Sequence, residues 1–172
     1  MLYNIVNIMG SDYLKKSFLF LLCLLLPITA ASGAEKLDHI EKLFSIRASI
    51  TSQDEALPSL IQKTSGNDLR TLERLYEINA STLTTIEAYF RILMIALSNN
   101  DQMNKETIDI LNEWLDFMRN QSKYDKQFFE TTIKDTSNED VRSQIKLSTE
   151  ITKSLLETTD IGVAENVALL KK

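Results

Sequence analysis

The fold is decided by residues 69–97, which read LRTLERLYEINASTLTTIEAYFRILMIAL. Apolar side chains recur along this stretch at alternating steps of three and four residues, which places them on one face of an α-helix. The resulting seam consists of Leu69, Leu72, Tyr76, Asn79, Leu83, Ile86, Phe90, Leu93 and Leu97. Other apolar residues beside the seam, among them Leu75 and Tyr89, widen it enough to contact two neighbouring helices. The stretch therefore predicts a long amphipathic helix inside a helical bundle.

A second long helix is predicted after the polar turn at residues 98–101. It begins near Asn104 and can reach Lys134, so both helices are about 30 residues long, and the short turn between them predicts an antiparallel hairpin. Two apolar ridges run along it, one formed by Ile108, Leu111, Leu115 and Met118 and the other by Ile110, Trp114, Phe117, Tyr124 and Phe128. The first long helix has a weak point at residues 79–82, where Asn, Ser and Thr favour competing backbone hydrogen bonds and predict a kink or break.

Shorter segments complete the predicted fold. A first main helix spans residues 35–49, and a short helix is expected between Pro58 and Gly66, because proline begins helices more readily than it continues them. A fourth main helix, capped by residues 137–140, is expected to break at Gly162 and to be followed by a last short helix. The sequence thus predicts an all-α, antiparallel bundle of about four main helices, two of them long, with one or two short helices.

Residues 35–172 contain few of the residue types that turns and metal sites require. Their only glycines are Gly66 and Gly162, their only proline is Pro58, their only histidine is His39, and they contain no cysteine. A β-sandwich or barrel needs many turns of the kind that glycine and proline supply, so an all-β fold is excluded. The lack of cysteine excludes disulfides, thiolate metal sites and a cysteine nucleophile, and a single histidine excludes any site that needs two.

Residues 1–34 have the pattern of a secretory signal peptide. Two lysines precede an apolar run at residues 17–28, and small residues follow up to Ala34. We expect cleavage before Glu35, which leaves residues 35–172 as a single helical-bundle domain.

Other interpretations of this leader stay open. The segment could be kept as a membrane anchor, although its strongly apolar part is shorter than the roughly 20 residues of a spanning helix. Cys23 could carry a lipid, although the bulky Leu22 before it argues against that, and translation could start at Met9. In every case the lysines stay in the cytoplasm and the bulk of the chain is exported.

Cysteine content and charge limit where the protein works and what it binds. A cysteine-free exported chain is more typical of the bacterial envelope than of eukaryotic secretion, where small domains rely on disulfides. We therefore expect a periplasmic or secreted bacterial protein.

The chain has 19 basic and 24 acidic residues, a net charge of −5, and loss of the leader with its two lysines and one aspartate changes this to −6. This acidity disfavours nucleic acid and anionic membranes as partners.

No residue pattern in the chain predicts chemistry. Four carboxylates, Glu106, Asp109, Glu113 and Asp116, lie at helical spacing on one face of the second long helix. We interpret them as a solvated stripe, because a helix provides none of the loop carbonyls that a calcium site requires. His39 has no partner for a di-iron motif, and neither haem nor another cofactor or metal is predicted. The sequence contains no nucleophile elbow and few loops that could form an oxyanion hole, so we expect no enzyme activity.

Two sets of residues are candidates for contacts with other molecules. The first is aromatic and consists of Trp114, Phe117, Tyr124, Phe128 and Phe129. These rings can line a ligand cavity or dock a protein partner, although the adjacent Phe128 and Phe129 point about 100° apart. The second is Asn79 in the apolar seam, where a buried asparagine fixes helix register or the number of chains; a kink would explain it equally well.

These features predict an exported, non-enzymatic helical bundle that works through protein–protein contacts in the bacterial envelope. Its role would be that of an accessory, chaperone-like, immunity or inhibitor protein. The alternative is a bundle that binds a small ligand in a pocket near Trp114 and Phe117. A homodimer in which Asn79 lies at the interface is a further prediction.

Overall fold

The computed structural model describes residues 37–98 and 104–169, which form four α-helices. No strand occurs in these two ranges, so the predicted all-α bundle is confirmed. The predicted signal peptide, with Cys23 and the alternative start at Met9, lies outside the described residues. None of the described helices has an apolar stretch long enough to cross a membrane. The helices are α1 (Asp38–Ile61), α2 (Gly66–Ser98), α3 (Lys105–Asp135) and α4 (Glu139–Leu169).

The four helices alternate in direction. His39 in the first turn of α1 contacts Tyr89 in the second half of α2 and Glu165 near the end of α4. Asn112 in the first half of α3 likewise contacts Asn166 near the end of α4. This is the up-and-down order that short connections predict. Among the described residues, α3 and α4 share the most extensive contact, and α1 and α3 lie diagonally opposite each other.

Apolar side chains from all four helices form the core. One buried group, here called the core cluster, consists of Leu57, Leu72, Leu75, Ile78, Phe129, Val141 and Ile145. Each fully buried side chain of this kind contributes roughly 1.5–3 kcal/mol to folding relative to an exposed one. The alternating three- and four-residue spacing of the sequence brings these side chains together.

Asparagine caps the start of α3 and of α4. The side-chain oxygen of Asn104 accepts a hydrogen bond from the backbone N–H of Thr107 at 2.8 Å. The side-chain oxygen of Asn138 accepts from the N–H groups of Asp140 and Val141, at 2.9 and 3.3 Å. All three bonds satisfy donors that the first turn of a helix leaves unpaired. The predicted starts of these two helices are confirmed.

α1 is longer than predicted because it continues through Pro58. Residues 50–57, which lie between the two predicted helices, are helical, and no separate short helix forms before Gly66 in the described chain. Pro58 is exposed and lies in the last turn, so its missing N–H removes one hydrogen bond close to the helix end. Leu57 beside it is fully buried in the core cluster, and its packing outweighs that loss.

α2 and α4 are also unbroken where the sequence predicts breaks. α2 passes through residues 79–82, and the nearby hydroxyls of Thr84 and Thr85 bond back to carbonyls four residues earlier, at 2.8 and 2.9 Å, without interrupting it. α4 passes through Gly162 and ends at Leu169, so the predicted last short helix is part of α4. The described residues therefore contain three long helices and one of 24 residues, rather than two long helices with short additions.

Gly162 lies where α4 approaches its neighbours most closely. A Cβ atom at this position would lie 2.8 Å from Cδ1 of Leu115 on α3 and 3.1 Å from the ring of His39 on α1. All three residues are buried. Glycine inside a helix costs about 0.5–1 kcal/mol relative to alanine. Here that cost is offset because the lack of a side chain lets three helices pack together.

We expect Gly162→Ala to destabilise the protein by about 1–3 kcal/mol, because the added methyl group overpacks a buried site. At an exposed helix position the same change would stabilise by up to about 1 kcal/mol. Urea unfolding followed by circular dichroism measures the difference. Ala164→Gly, at an exposed position on the same helix, is the control and should cost about 1 kcal/mol through helix propensity alone. A stabilised Gly162→Ala variant would contradict the close approach.

Candidate functional site

α3 carries two parallel stripes of side chains. The inner stripe packs into the bundle and includes Leu111, Leu115, Met118 and Phe129, all of which are buried. The outer stripe begins one residue earlier, so it is rotated by about 100° around the helix. It consists of Ile110, Trp114, Phe117, Gln121, Tyr124 and Phe128. Its steps alternate between four and three residues, which is the spacing of a seam between two helices.

Every second position of the outer stripe is exposed. Phe117 is 54% exposed, Tyr124 is 75% exposed and Ile110, at one end, is 42% exposed. Trp114 and Phe128 are half-buried. A row of exposed aromatic side chains is typical of a surface that contacts another molecule.

A groove of about 430 Å³ runs beside the outer stripe between α2 and α3. Small side chains of α2 face two large rings of α3, and this difference in size leaves the space between the helices open. The two rings meet edge to face, with centroids 6.2 Å apart. The residues that line the groove are Thr84, Thr85, Ala88, Glu113, Trp114 and Phe117. Next to the groove, the amide of Gln121 donates a hydrogen bond of 2.9 Å to the hydroxyl of Ser81 and joins the two helices.

The five aromatic residues predicted as contacts occupy different environments. Trp114, Phe117 and Tyr124 lie on the outer stripe, and the first two line the groove. Phe128 lies at the end of the stripe and is partly buried against the core cluster. Phe129 is 1% exposed and belongs to the core cluster, so it is not part of the contact surface. The 100° turn between adjacent helical residues separates the two phenylalanines.

Exposed carboxylates lie on the same helix beside the outer stripe. Asp116 pairs with Arg119 at 2.7 Å. Glu106, Asp109 and Glu113, here called the acidic rim, are exposed and form no ion pair with any described residue. Within the ranges that the structure describes, no three His, Cys, Asp or Glu side chains come close enough to hold a metal ion.

Asn79 belongs to a polar network that joins three helices of one chain. Its side-chain amide donates hydrogen bonds to the side-chain oxygen of Gln53 at 3.1 Å and to the carboxylate of Asp54 at 2.7 Å, both on α1. The amide of Gln53 in turn donates to the backbone oxygen of Gln144 and to the hydroxyl of Ser148 on α4, both at 2.9 Å. Burial raises the pKa of Asp54, and the bond from Asn79 opposes that shift. The network fixes the register of α1 against α2 and α4.

A second polar network joins the first turn of α1 to α2 and α4. Nδ1 of His39 donates to the carboxylate of Glu165, and the hydroxyl of Tyr89 donates to Nε2 of His39 at 2.7 Å. Glu165 also accepts from the backbone N–H groups of Asp38 and His39, at 3.1 and 3.2 Å. Glu165 thereby caps α1, whose own N-cap residue, Leu37, has no side-chain oxygen.

The surroundings of His39 favour its neutral form. Burial lowers the pKa of His39, while the hydrogen bond and the charge of Glu165 oppose the shift. Burial also raises the pKa of Tyr89, so its hydroxyl keeps its proton and acts as a donor. His39 and Tyr89 are both fully buried, and neither group meets solvent. We interpret the network as a structural connection between the first and last helices.

The sequence identified His39 only as a polar residue on the first helix, because its partners are far away along the chain. Glu165 is 126 residues further on, and no local pattern links two positions at that distance. The sequence analysis missed one signal in this region. Asn166 interrupts the apolar positions near the end of α4, and the structure places it in the interior, where it donates to Asn112 at 2.9 Å.

No model of a known protein family matches the chain. Neither a curated protein nor a solved structure resembles it at a significant level. The two networks and the groove are therefore interpreted from their own geometry.

We expect Asn79→Leu to lower the free energy of unfolding by about 1–3 kcal/mol, because Gln53 and Asp54 lose a donor in a buried site. The oligomeric state should not change, since these partners belong to the same chain. Urea unfolding and analytical ultracentrifugation measure the two quantities. Ala80→Leu adds the same side chain at the neighbouring exposed position and is the control. An oligomer distribution altered by Asn79→Leu alone would place Asn79 at an interface between chains.

We expect the free energy of unfolding to fall as the pH drops below about 6.5, the ordinary pKa of histidine. Because burial lowers the pKa of His39, the unfolded chain binds a proton before the folded protein does, and protonation favours unfolding. The contribution of His39 to the free energy of unfolding is therefore complete above the pKa that histidine has in the unfolded chain, and it is lost as the pH falls below that value. Burial raises the pKa values of Asp54 and Asp125, so the protonation of these two residues favours the folded state. Their effect on stability is opposite to that of His39 and occurs at more acidic pH.

Chemical unfolding at a series of pH values from about 7.5 to 5.5 tests this dependence, because the chain has one histidine. His39→Gln should remove the slope and cost about 1–3 kcal/mol at pH 7.5, since it cannot bridge Tyr89 and Glu165. Stability that rises as the pH falls through this range would show that the charge of Glu165 outweighs burial.

Proposed function

We propose that this protein is an exported, non-enzymatic binding protein of the bacterial envelope that docks a helix of a protein partner on the outer stripe of α3. One observation carries the proposal. α3 already has a complete inner stripe buried in the bundle, yet it carries a second stripe at heptad spacing, of which Ile110, Phe117 and Tyr124 are exposed. Such a stripe is half of a helix–helix seam.

The chemistry of the stripe suits a protein partner. Phe117 and Tyr124 project large aromatic surfaces, and Trp114 stands beside them at the edge of the groove. Aromatic anchors of this kind contribute most of the binding energy in many protein interfaces. The groove between α2 and α3 provides the neighbouring space into which side chains of a docked helix can insert.

The non-enzymatic assignment is supported by where the titratable groups lie. His39 and Tyr89 are buried in the interior, away from the groove. The groove itself is lined by hydroxyl, methyl and aromatic groups with one carboxylate, Glu113. Export is supported by the leader sequence. An accessory, chaperone-like, immunity or inhibitor role fits a protein whose action is to hold a partner.

A second candidate function is supported by the volume of the groove. About 430 Å³ beside Trp114 lies within the range of small-molecule sites. Phe117, on one wall, is more than half exposed, so a small ligand would stay partly in solvent. A helix that lies along the whole outer stripe would cover more of the exposed rings, which favours the protein partner.

We expect a photoreactive phenylalanine analogue at position 117 or 124 to crosslink to one discrete protein in the envelope of the producing bacterium, because both positions lie on the exposed stripe. The same analogue at Leu147, which is 42% exposed on α4, is the control and should give no such product. Phe117→Ala should reduce crosslinking from position 124 about tenfold, the effect of losing one interface anchor. Its free energy of unfolding should change by no more than about 1 kcal/mol, as is usual for a surface substitution.

Equal crosslinking from positions 117, 124 and 147 would contradict the proposal. A saturable change in Trp114 fluorescence with a small envelope metabolite, in the absence of a crosslinked protein, would favour the second candidate. Trp114 is the single tryptophan of the chain, so its emission reports on the groove alone.

A further inference from the structure

We infer that the helix held by the outer stripe is cationic and amphipathic, with apolar side chains toward the stripe and lysine or arginine toward the acidic rim. This inference rests on the proposed function and adds the chemistry of the partner. Three features of the described residues carry it: the position of the acidic rim, the neutral opposite wall of the groove, and the charge of the chain itself.

The acidic rim borders only the start of the outer stripe, and the same row of α3 continues through the paired Asp116 to Asn120 and Lys123. Glu106, Asp109 and Glu113 recur at steps of three and four residues, so they form a row parallel to the stripe on the same helix. Glu113 also lines the groove, directly before Trp114. Because these carboxylates have no cation among the described residues, a partner can supply one. A helix docked on the stripe would bring one edge of its polar face alongside the rim.

The opposite wall of the groove carries no charge. It consists of Thr84, Thr85 and Ala88 of α2, which offer hydroxyl and methyl groups. A docked helix would therefore meet negative charge on one side and a neutral surface on the other. This asymmetry favours cationic residues at the end of the partner helix that lies beside the acidic rim.

The charge of the chain disfavours a second copy as the occupant. The whole chain has a net charge of −5, so two copies repel each other. A cationic helix is attracted by the same field before contact, which raises its rate of association.

The length of the stripe sets the length of the partner. The stripe extends from Ile110 to Phe128, which corresponds to about 27 Å at 1.5 Å per residue. A partner helix of about five turns covers it. A peptide of that length is therefore a sufficient probe.

The test uses two synthetic peptides of about 18 residues without tryptophan. Both carry leucine at the heptad a and d positions; one has lysine and the other glutamate at the flanking positions. Trp114 fluorescence of the purified protein measures their affinities. We expect the lysine peptide to bind at least about tenfold more tightly, and its affinity to fall as salt is added.

Two triple variants distinguish the effect of the acidic rim from the effect of the overall negative charge of the protein. Each variant removes three carboxylates, so both change the net charge equally. The rim variant combines Glu106→Gln, Asp109→Asn and Glu113→Gln and should weaken the lysine peptide about five- to tenfold. The control variant neutralises exposed carboxylates on α1 and α4 and should weaken it less than about twofold. The control positions are Glu55, Glu150 and Glu157.

Each other outcome overturns the inference. If both peptides bind equally, or if the control variant weakens binding as much as the rim variant, the acidic rim does not select the partner. In that case, loss of peptide binding in Phe117→Ala would still support a helix docked on the outer stripe. If neither peptide changes the fluorescence, the inference fails, and the crosslinking experiment decides the proposed function separately. A dimer in analytical ultracentrifugation that Phe117→Ala dissociates would assign the stripe to a second copy.

Discussion

The bundle depends on the close approach of α4 to the helices on either side of it. The buried face of α4 includes small and hydroxyl-bearing residues, among them Ser148, Thr152, Thr158, Thr159 and Gly162. Such side chains let neighbouring helices come close. The hydroxyls of Thr158 and Thr159 bond to carbonyls of the same helix, and that of Ser148 bonds to Gln53 of the neighbouring network. α1 and α3 are therefore packed against α4 over long stretches. α2 lies diagonally opposite, and its contact with α3 is less extensive, which leaves the groove.

The two buried polar networks give this packing its specificity. An apolar interior alone tolerates several registers, because leucine and isoleucine pack against many neighbours. Gln53 at the centre and His39 at one end each connect three helices through bonds that only one register satisfies. Buried polar groups that lack a partner cost free energy, so the displacement of a helix would destabilise the fold at both polar networks. The two networks thus fix α1, α2 and α4 against one another, and α3 is held by its extensive packing against α4.

The parts of the structure that the sequence predicts are those decided by neighbouring residues. Asn104 and Asn138 mark helix starts because a cap acts within three residues. The outer ridge of α3, with Trp114 and Phe117, follows from helical spacing. Pro58 and Gly162 were predicted as boundaries because their local preferences are unfavourable in a helix. Their neighbours in space reverse that preference, and spacing along the chain carries no information about those neighbours.

The bond between His39 and Glu165 also has a consequence for the order in which the chain folds. It joins positions 126 residues apart, and the same carboxylate caps the first turn of α1. Such a long-range contact forms only after most of the chain is available, and closing so large a loop is entropically costly. The first helix therefore stays without its cap until the last helix has been synthesised.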